Sequence, residues 1–195
     1  MTGENQGEGR GRTKVLYLGD HYDANSPYGF RMYRTTYGDD EKWDRFMTYF
    51  KANVEKFLGD SEEKDELPLM DWSVQSDPDL QDATTEQVRE KFIQWVDSGE
   101  EQPENSARFR ACIVVDEDAV ESVIMTQEFL EKHEKPIDYE DTDGSGYVTL
   151  VSRDELDDDA LVCIQNLYPT TYDFLHSLDW RFIEAKEGEI SAKPQ

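Results

Sequence analysis

Trp43, Phe46, Met47, Phe50, Val54, Phe57 and Leu58 recur every three or four positions, the spacing of a helix that buries one face. Asp39 or Asp40 stands where an N-cap is needed, and Gly59 follows as a stop. A second helix is predicted from Thr84 or Thr85. Thr84 and Gln87 have capping-box spacing, Val88, Phe92, Trp95 and Val96 form the buried stripe, and Gly99 ends it. Strand patterns fall at residues 14–18, at 28–37 and at 67–74, where Pro68 holds the start at a sheet edge. Residues 109–115 are short, mostly apolar and β-branched near their end, and predict the central strand. A strand at 147–151 follows the Asp143-Gly144-Ser145-Gly146 turn, and the last strand is expected at 180–185.

Three stretches stay open. Residues 119–125 continue the sheet or form a short helix, 127–133 make one helical turn or more before Pro136, and 161–167 are apolar without a clear period. Thr170 or Thr171 caps a short helix carrying Tyr172, Leu175 and Leu178. Strands and helices interleave without regular short spacing. That predicts the α+β class, with a mixed or antiparallel sheet and helices packed on one face, a ferredoxin-like layout being one version. Residues 1–13 are expected to be a disordered tail, 14–185 a single domain and 186–195 a C-terminal tail.

Charge narrows the partners. Across 195 residues, 45 Asp and Glu outnumber 20 Lys and Arg, for a net charge of -25. Such a chain repels nucleic-acid phosphates and anionic lipid surfaces, so neither nucleic acid nor membrane is expected as a partner. A basic protein or a small molecule remains. Four Trp, ten Tyr and nine Phe supply a core inside the charged coat. Residues 1–12 lack the apolar segment of a signal peptide, and no apolar run nears the ~18 residues of a membrane span. Cys112 and Cys163 sit in apolar stretches and read as buried free thiols, which points to the cytoplasm or nucleus.

Candidate chemistry is sparse. Asp141, Asp143, Ser145 and Tyr147, with Gly146 between, follow the opening of a calcium-binding loop. Its closing position holds Ser152 in place of Glu, Pro136 breaks the entering helix, and Asp154 or Glu155 would have to complete the shell. The competing account is a glycine-rich turn into a strand. His21 lies between Asp20 and Asp23, a ligand or base arrangement that an exposed lone histidine equally satisfies. Tyr33, Arg34, Tyr37 and Trp43 are candidates to line a pocket, against the alternative of ordinary core with a solvent-facing arginine. No nucleotide-binding motif or nucleophile elbow occurs, so no cofactor is expected. The best functional expectation is a non-catalytic acidic interaction or regulatory module. The alternative is a small cofactor-free cyclase, isomerase or lyase using carboxylates and tyrosines in an aromatic pocket.

At Tyr28-Gly29-Phe30, Tyr33-Arg34-Thr35-Thr36-Tyr37-Gly38-Asp39-Asp40 and Trp43 the chain resembles a group of uncharacterised proteins from filamentous fungi. The likeness extends loosely to the helix with Phe92 and Trp95, to the strand near Cys112, and to Gly146-Tyr147-Val148, covering about half of the chain. It implies a fungal, intracellular protein and carries no site residues.

Overall fold

The computed structural model describes residues 27–101, 106–141, 144–177, 180 and 183. Its strands are β1 (Arg31–Arg34), β2 (Val74–Ser76), β3 (Ala111–Val115), β4 (Tyr147–Ser152) and β5 (Ala160–Cys163). The α-helices among them are α1 (Asp40–Gly59), α2 (Thr85–Ser98), α3 (Glu117–Lys132), α4 (Ile164–Asn166) and α5 (Tyr172–Ser177). The strands form one sheet in the order β2-β1-β3-β4-β5. β1 lies parallel to β2 and β3, whereas β4 is antiparallel to both β3 and β5. This is an α+β protein with a mixed sheet. Its element order, β-α-β-α-β-α-β-β-α-α, differs from the β-α-β-β-α-β of a ferredoxin-like layout.

Helices cover both faces of the sheet, not one as the sequence predicts. The connection from β1 to β2 crosses the sheet one way, and that from β2 to β3 returns over β1. Parallel crossovers are almost always right-handed, so reversing direction moves the connecting helix to the other face. α1 and α3 pack with Met32, Ile113, Val115, Val148 and Leu150. α2 packs with Tyr33, Cys112, Val114 and Val151 on the other side. Every residue of β3 is buried, as a strand covered on both faces requires.

The helix signals translate closely. Asp39 caps α1, its carboxylate accepting the Lys42 N–H at 3.0 Å. Tyr49 and Asn53 fill gaps in the buried stripe, and the helix runs through Gly59 to a cap at Asp60. Both capping-box bonds form at Thr84 and Gln87, and Gly99 closes α2 at a φ of 66°. Only glycine adopts that backbone without strain.

The structure decides three stretches that the sequence leaves open and departs from three expectations. Residues 119–125 and 127–133 belong to one helix, α3, started by Asp116. Residues 161–167 divide between β5 and α4. Of residues 67–74, the first three end a 3-10 turn, Lys64–Leu69, with Pro68 inside it; Met70 makes an isolated bridge to Tyr28, and regular strand begins only at Val74 in β2. Trp180 and Ile183 sit in a tight turn, with the Ile183 N–H donating to the Trp180 carbonyl at 2.8 Å, so these two are not strand. Neither Thr170 nor Thr171 caps α5, which continues from a helical segment, Leu167–Thr171. The strand at 14–18 and both proposed tails lie outside the described residues.

One guanidinium fixes where the three parallel strands begin. Arg108, 2% exposed, precedes β3. It donates to the Gly29 carbonyl just before β1 at 2.9 Å, to Asp71 just before β2 at 2.7 Å, and to both oxygens of Glu101 at 2.7 and 2.8 Å. Burial opposes its charge, but the hydrogen bonds it donates to Glu101 and Asp71 outweigh that and hold its pKa above the ordinary arginine value. Burial works against ionised Asp71 too, yet the Ser73 N–H and Arg108 keep it below the usual carboxylate range. Arg108→Ala would strand two partly wetted carboxylates and should cost about 3 kcal/mol, the low end for a broken buried pair. Thr84→Ala should cost about 1 kcal/mol. Urea denaturation monitored by far-ultraviolet circular dichroism checks both, and an Arg108→Ala loss no larger than that of Thr84→Ala would refute the clamp.

Candidate functional site

The four pocket candidates do not meet. Side chains alternate along a strand, so Tyr33 and Arg34 of β1 point to opposite faces. Tyr33 joins Leu80, Val88 and Phe92 under α2. There burial first, and the nearby Cys112 second, push its hydroxyl up to about 12, with Arg31 pulling the other way. Arg34, Tyr37 and Trp43 do come together, as a closed clasp. The Arg34 guanidinium lies over Trp43 at 4.5 Å and over Tyr37 at 4.6 Å. It also donates to the Thr36 carbonyl at 2.6 Å and to Asp40 at 2.7 Å. The Tyr37 hydroxyl donates back to the Arg34 carbonyl at 2.9 Å. The clasp joins β1 to the start of α1, and Arg34 Nε and Nη2 both donate within the protein itself.

The loop before β4 is held as a turn. The Asp141 carboxylate accepts the Gly146 N–H at 2.9 Å, the Asp141 N–H donates to Gln165 at 2.7 Å, and Gly144 takes a φ of 70°. A Cβ on Gly146 would lie 3.1 Å from the Tyr49 ring, so the strand comes this close to α1 only with glycine there. Ser145 is exposed and Tyr147 half-buried, while Ser152 donates to Asp157 at 2.6 Å. Asp143 lies outside the described residues, as does the Asp20-His21-Tyr22-Asp23 candidate. Among the described residues, no group of three or more His, Cys, Asp or Glu has the geometry to hold a metal ion.

Cys112 and Cys163 are free and buried. Burial pushes the Cys112 thiol up despite Arg89 and Arg31 nearby, and pushes Cys163 up to about 11. Neither is a ready nucleophile.

Two features escape sequence reasoning. The first is an aromatic knot at the start of β1, where Tyr28 and Phe30 pack on Tyr168 and Tyr172 with ring centroids 4.3 to 5.9 Å apart. Tyr168 accepts the Phe30 N–H at 2.9 Å, and the buried Tyr28 hydroxyl has no hydrogen-bond partner among the described residues. Beside the knot, Asp173 is pushed up to about 7, by burial first and then by Glu63 and Glu66.

The second is an apolar groove of about 450 Å³ between α3 and a wall that includes Lys135, Tyr139, Glu140, Asp141 and Ser145. Of the four large hydrophobic residues exposed among the described residues, Met125 (68%), Phe129 (57%) and Tyr139 (42%) line it. Met125 and Phe129, four apart, stand on the side of α3 away from Val120 and Val123, and the buried Leu130 lines the groove with them. Had 117–132 been read as one helix, this second apolar ridge was visible in the sequence. Tyr139 already seats a cation, the Lys135 ammonium 4.5 Å over its ring, and the His133 and Phe129 rings pack with centroids 4.2 Å apart. A further cleft of about 540 Å³ runs between Phe109, Arg110, Ser152, Arg153, Asp154 and Trp180. Its polar rim is engaged internally, Arg153 with Asp97 at 2.7 Å and Ser152 with Asp157.

No family model matches the chain, and no curated protein or solved structure matches it either.

The raised Asp173 gives a signed pH dependence. A carboxylate whose folded pKa exceeds its unfolded 3.8 contributes stability fully present below 3.8 and lost as pH rises through about 7. His176, lowered by burial and by Arg110, acts in the opposite sense, so the readout is the difference from a variant. From about pH 8 to about pH 6 the wild type should gain about 1.4 kcal/mol relative to Asp173→Asn. Parallel stability profiles for the two proteins would exclude a protonated Asp173.

Proposed function

We propose that this chain is a non-catalytic acidic interaction module whose binding surface is the groove along α3, and whose partner is a basic protein. The observation that carries this reading is the convergence of Met125, Phe129 and Tyr139 on one groove, because contiguous exposed apolar surface on a soluble protein marks a contact site. The net charge of -25 supports a basic partner. The internal use of Arg34, Tyr37 and Trp43 supports a binding role over a catalytic one. Among the described residues no helix is long and apolar enough to cross a membrane. The two buried free thiols support a reducing compartment, cytoplasm or nucleus. Membership of the filamentous-fungal group is part of the proposal, supported by the work its motif does here: Tyr28 and Phe30 in the knot, Arg34, Tyr37 and Trp43 in the clasp, Asp39 as cap.

A second reading, a cofactor-free enzyme, is favoured by one observation, the raised Asp173 beside the unpartnered Tyr28 hydroxyl. It requires a substrate to reach that pair.

Affinity capture from an extract of the source organism, with wild type against Phe129→Asp, tests the main reading. A basic protein should be retained by wild type at low salt, weakened at high salt and lost with the variant. Identical retention by both proteins, or none by either, would count against the groove as the binding surface.

A further inference from the structure

We propose that the groove receives a cationic amphipathic helix of the partner, with its apolar side chains against Met125 and Phe129 and one of its Lys or Arg over Tyr139. This rests on the reading of the chain as an interaction module and specifies what that module recognises.

The shape of the surface favours a helix. Met125 and Phe129 form an i, i+4 ridge on the outside of α3, and helices pack by laying such a ridge into a neighbour's groove. Lys135, Tyr139, Glu140, Asp141 and Ser145 supply the opposite wall. A partner helix presenting apolar residues at the same period would cover both walls. The cavity, about 450 Å³, is at the small end of binding clefts and holds a few large side chains, not a folded domain.

Charge decides the sign of the occupant. Between residues 125 and 141 six carboxylates, at 128, 131, 134, 138, 140 and 141, face two lysines, Lys132 and Lys135. Glu131 is engaged with Arg45 at 3.7 Å and Asp141 with the Gly146 N–H. Glu128, Glu134 and Glu140 are exposed. The same charge disfavours two other occupants: a second copy would bring another -25, and an anionic lipid surface would repel the rim.

Lys135 makes the proposal specific. Its ammonium sits 4.5 Å over Tyr139, which marks that ring face as a cation seat. A partner's Lys or Arg would take this seat and displace Lys135 into water. Lys135 is then a built-in competitor, and removing it should strengthen binding more than removing Lys132, an equally exposed lysine that does not line the groove.

The experiment titrates the full chain with two synthetic Leu/Lys peptides of about 18 residues, five helical turns. One is patterned as an amphipathic helix and the other is scrambled to the same composition. Sedimentation of the chain alone and flotation with phosphatidylcholine vesicles run alongside. The patterned peptide should bind at least about tenfold more tightly than the scrambled one, about 1.4 kcal/mol. Phe129→Asp should abolish that difference, with Phe129→Ala as the milder variant and circular dichroism confirming the fold. Lys135→Ala should tighten patterned-peptide binding beyond Lys132→Ala. Equal binding of both peptides, or equal effects of the two lysine variants, overturns the helical occupant. If extract capture still depends on Phe129 while neither peptide binds, the interaction module survives and the amphipathic helix falls. Failure of both experiments removes both. A dimer dissociated by Phe129→Asp, or vesicle binding through it, replaces the helix with a second copy or a lipid surface.

Discussion

The placement of a few arginines is the constraint on which this structure depends. With 45 carboxylates against 20 Lys and Arg, most acidic groups must stay in water. The buried guanidiniums are therefore spent where they tie distant segments together. Arg108 gathers the starts of β1, β2 and β3, Arg34 locks β1 to the first turn of α1, and Arg89 joins α2 to the Ser152 carbonyl and to Asp159 beside β5. Each spans a chain crossing that hydrophobic packing alone leaves free to slide. Arginine suits this better than lysine because its planar fork reaches two or three acceptors at fixed angles.

Once those ties are made, the interior is fully committed. The sheet carries α1 and α3 on one face and α2 on the other, and the aromatic residues rich in the sequence fill both layers. The outside of α3 is left with two large apolar residues and, among the described residues, no partner helix or strand. That surface is unlike the rest of the coat, where the exposed residues are mainly acidic or small and polar. The contrast is what gives it functional weight, since isolated surface hydrophobics are ordinary and clustered ones are not.

Local signals were legible in the sequence, and long-range ones were not. α1, α2, the capping box at Thr84 and the buried strand around Ile113 follow from spacing and cap chemistry within a few residues. α3 was split because Met125 and Phe129 break a one-sided stripe: its buried residues alone have helical period, and the extra apolar pair blurs it. The pocket set failed at one peptide bond, since Tyr33 and Arg34 are adjacent in sequence and on opposite faces in space. The Arg108 clamp joins residues 37 and 79 positions away, and nothing in the local sequence of Arg108 announces Asp71 or Gly29. The knot of Tyr28, Phe30, Tyr168 and Tyr172 has the same character, with partners more than 130 positions apart.

For an interaction module, the acidic coat and the apolar groove solve a problem neither solves alone. An apolar groove by itself gains affinity from desolvation but discriminates poorly, and it invites self-association. An acidic coat by itself attracts every cation weakly and is screened within about 10 Å at ordinary salt. Together, the field of the whole protein steers basic partners in and keeps copies of the chain apart, while only a partner with matching apolar residues gains from covering Met125 and Phe129. Lys135 on Tyr139 sharpens this further. In the proposed module it would give way only to a partner that supplies both a cation for the seat and apolar surface for the ridge.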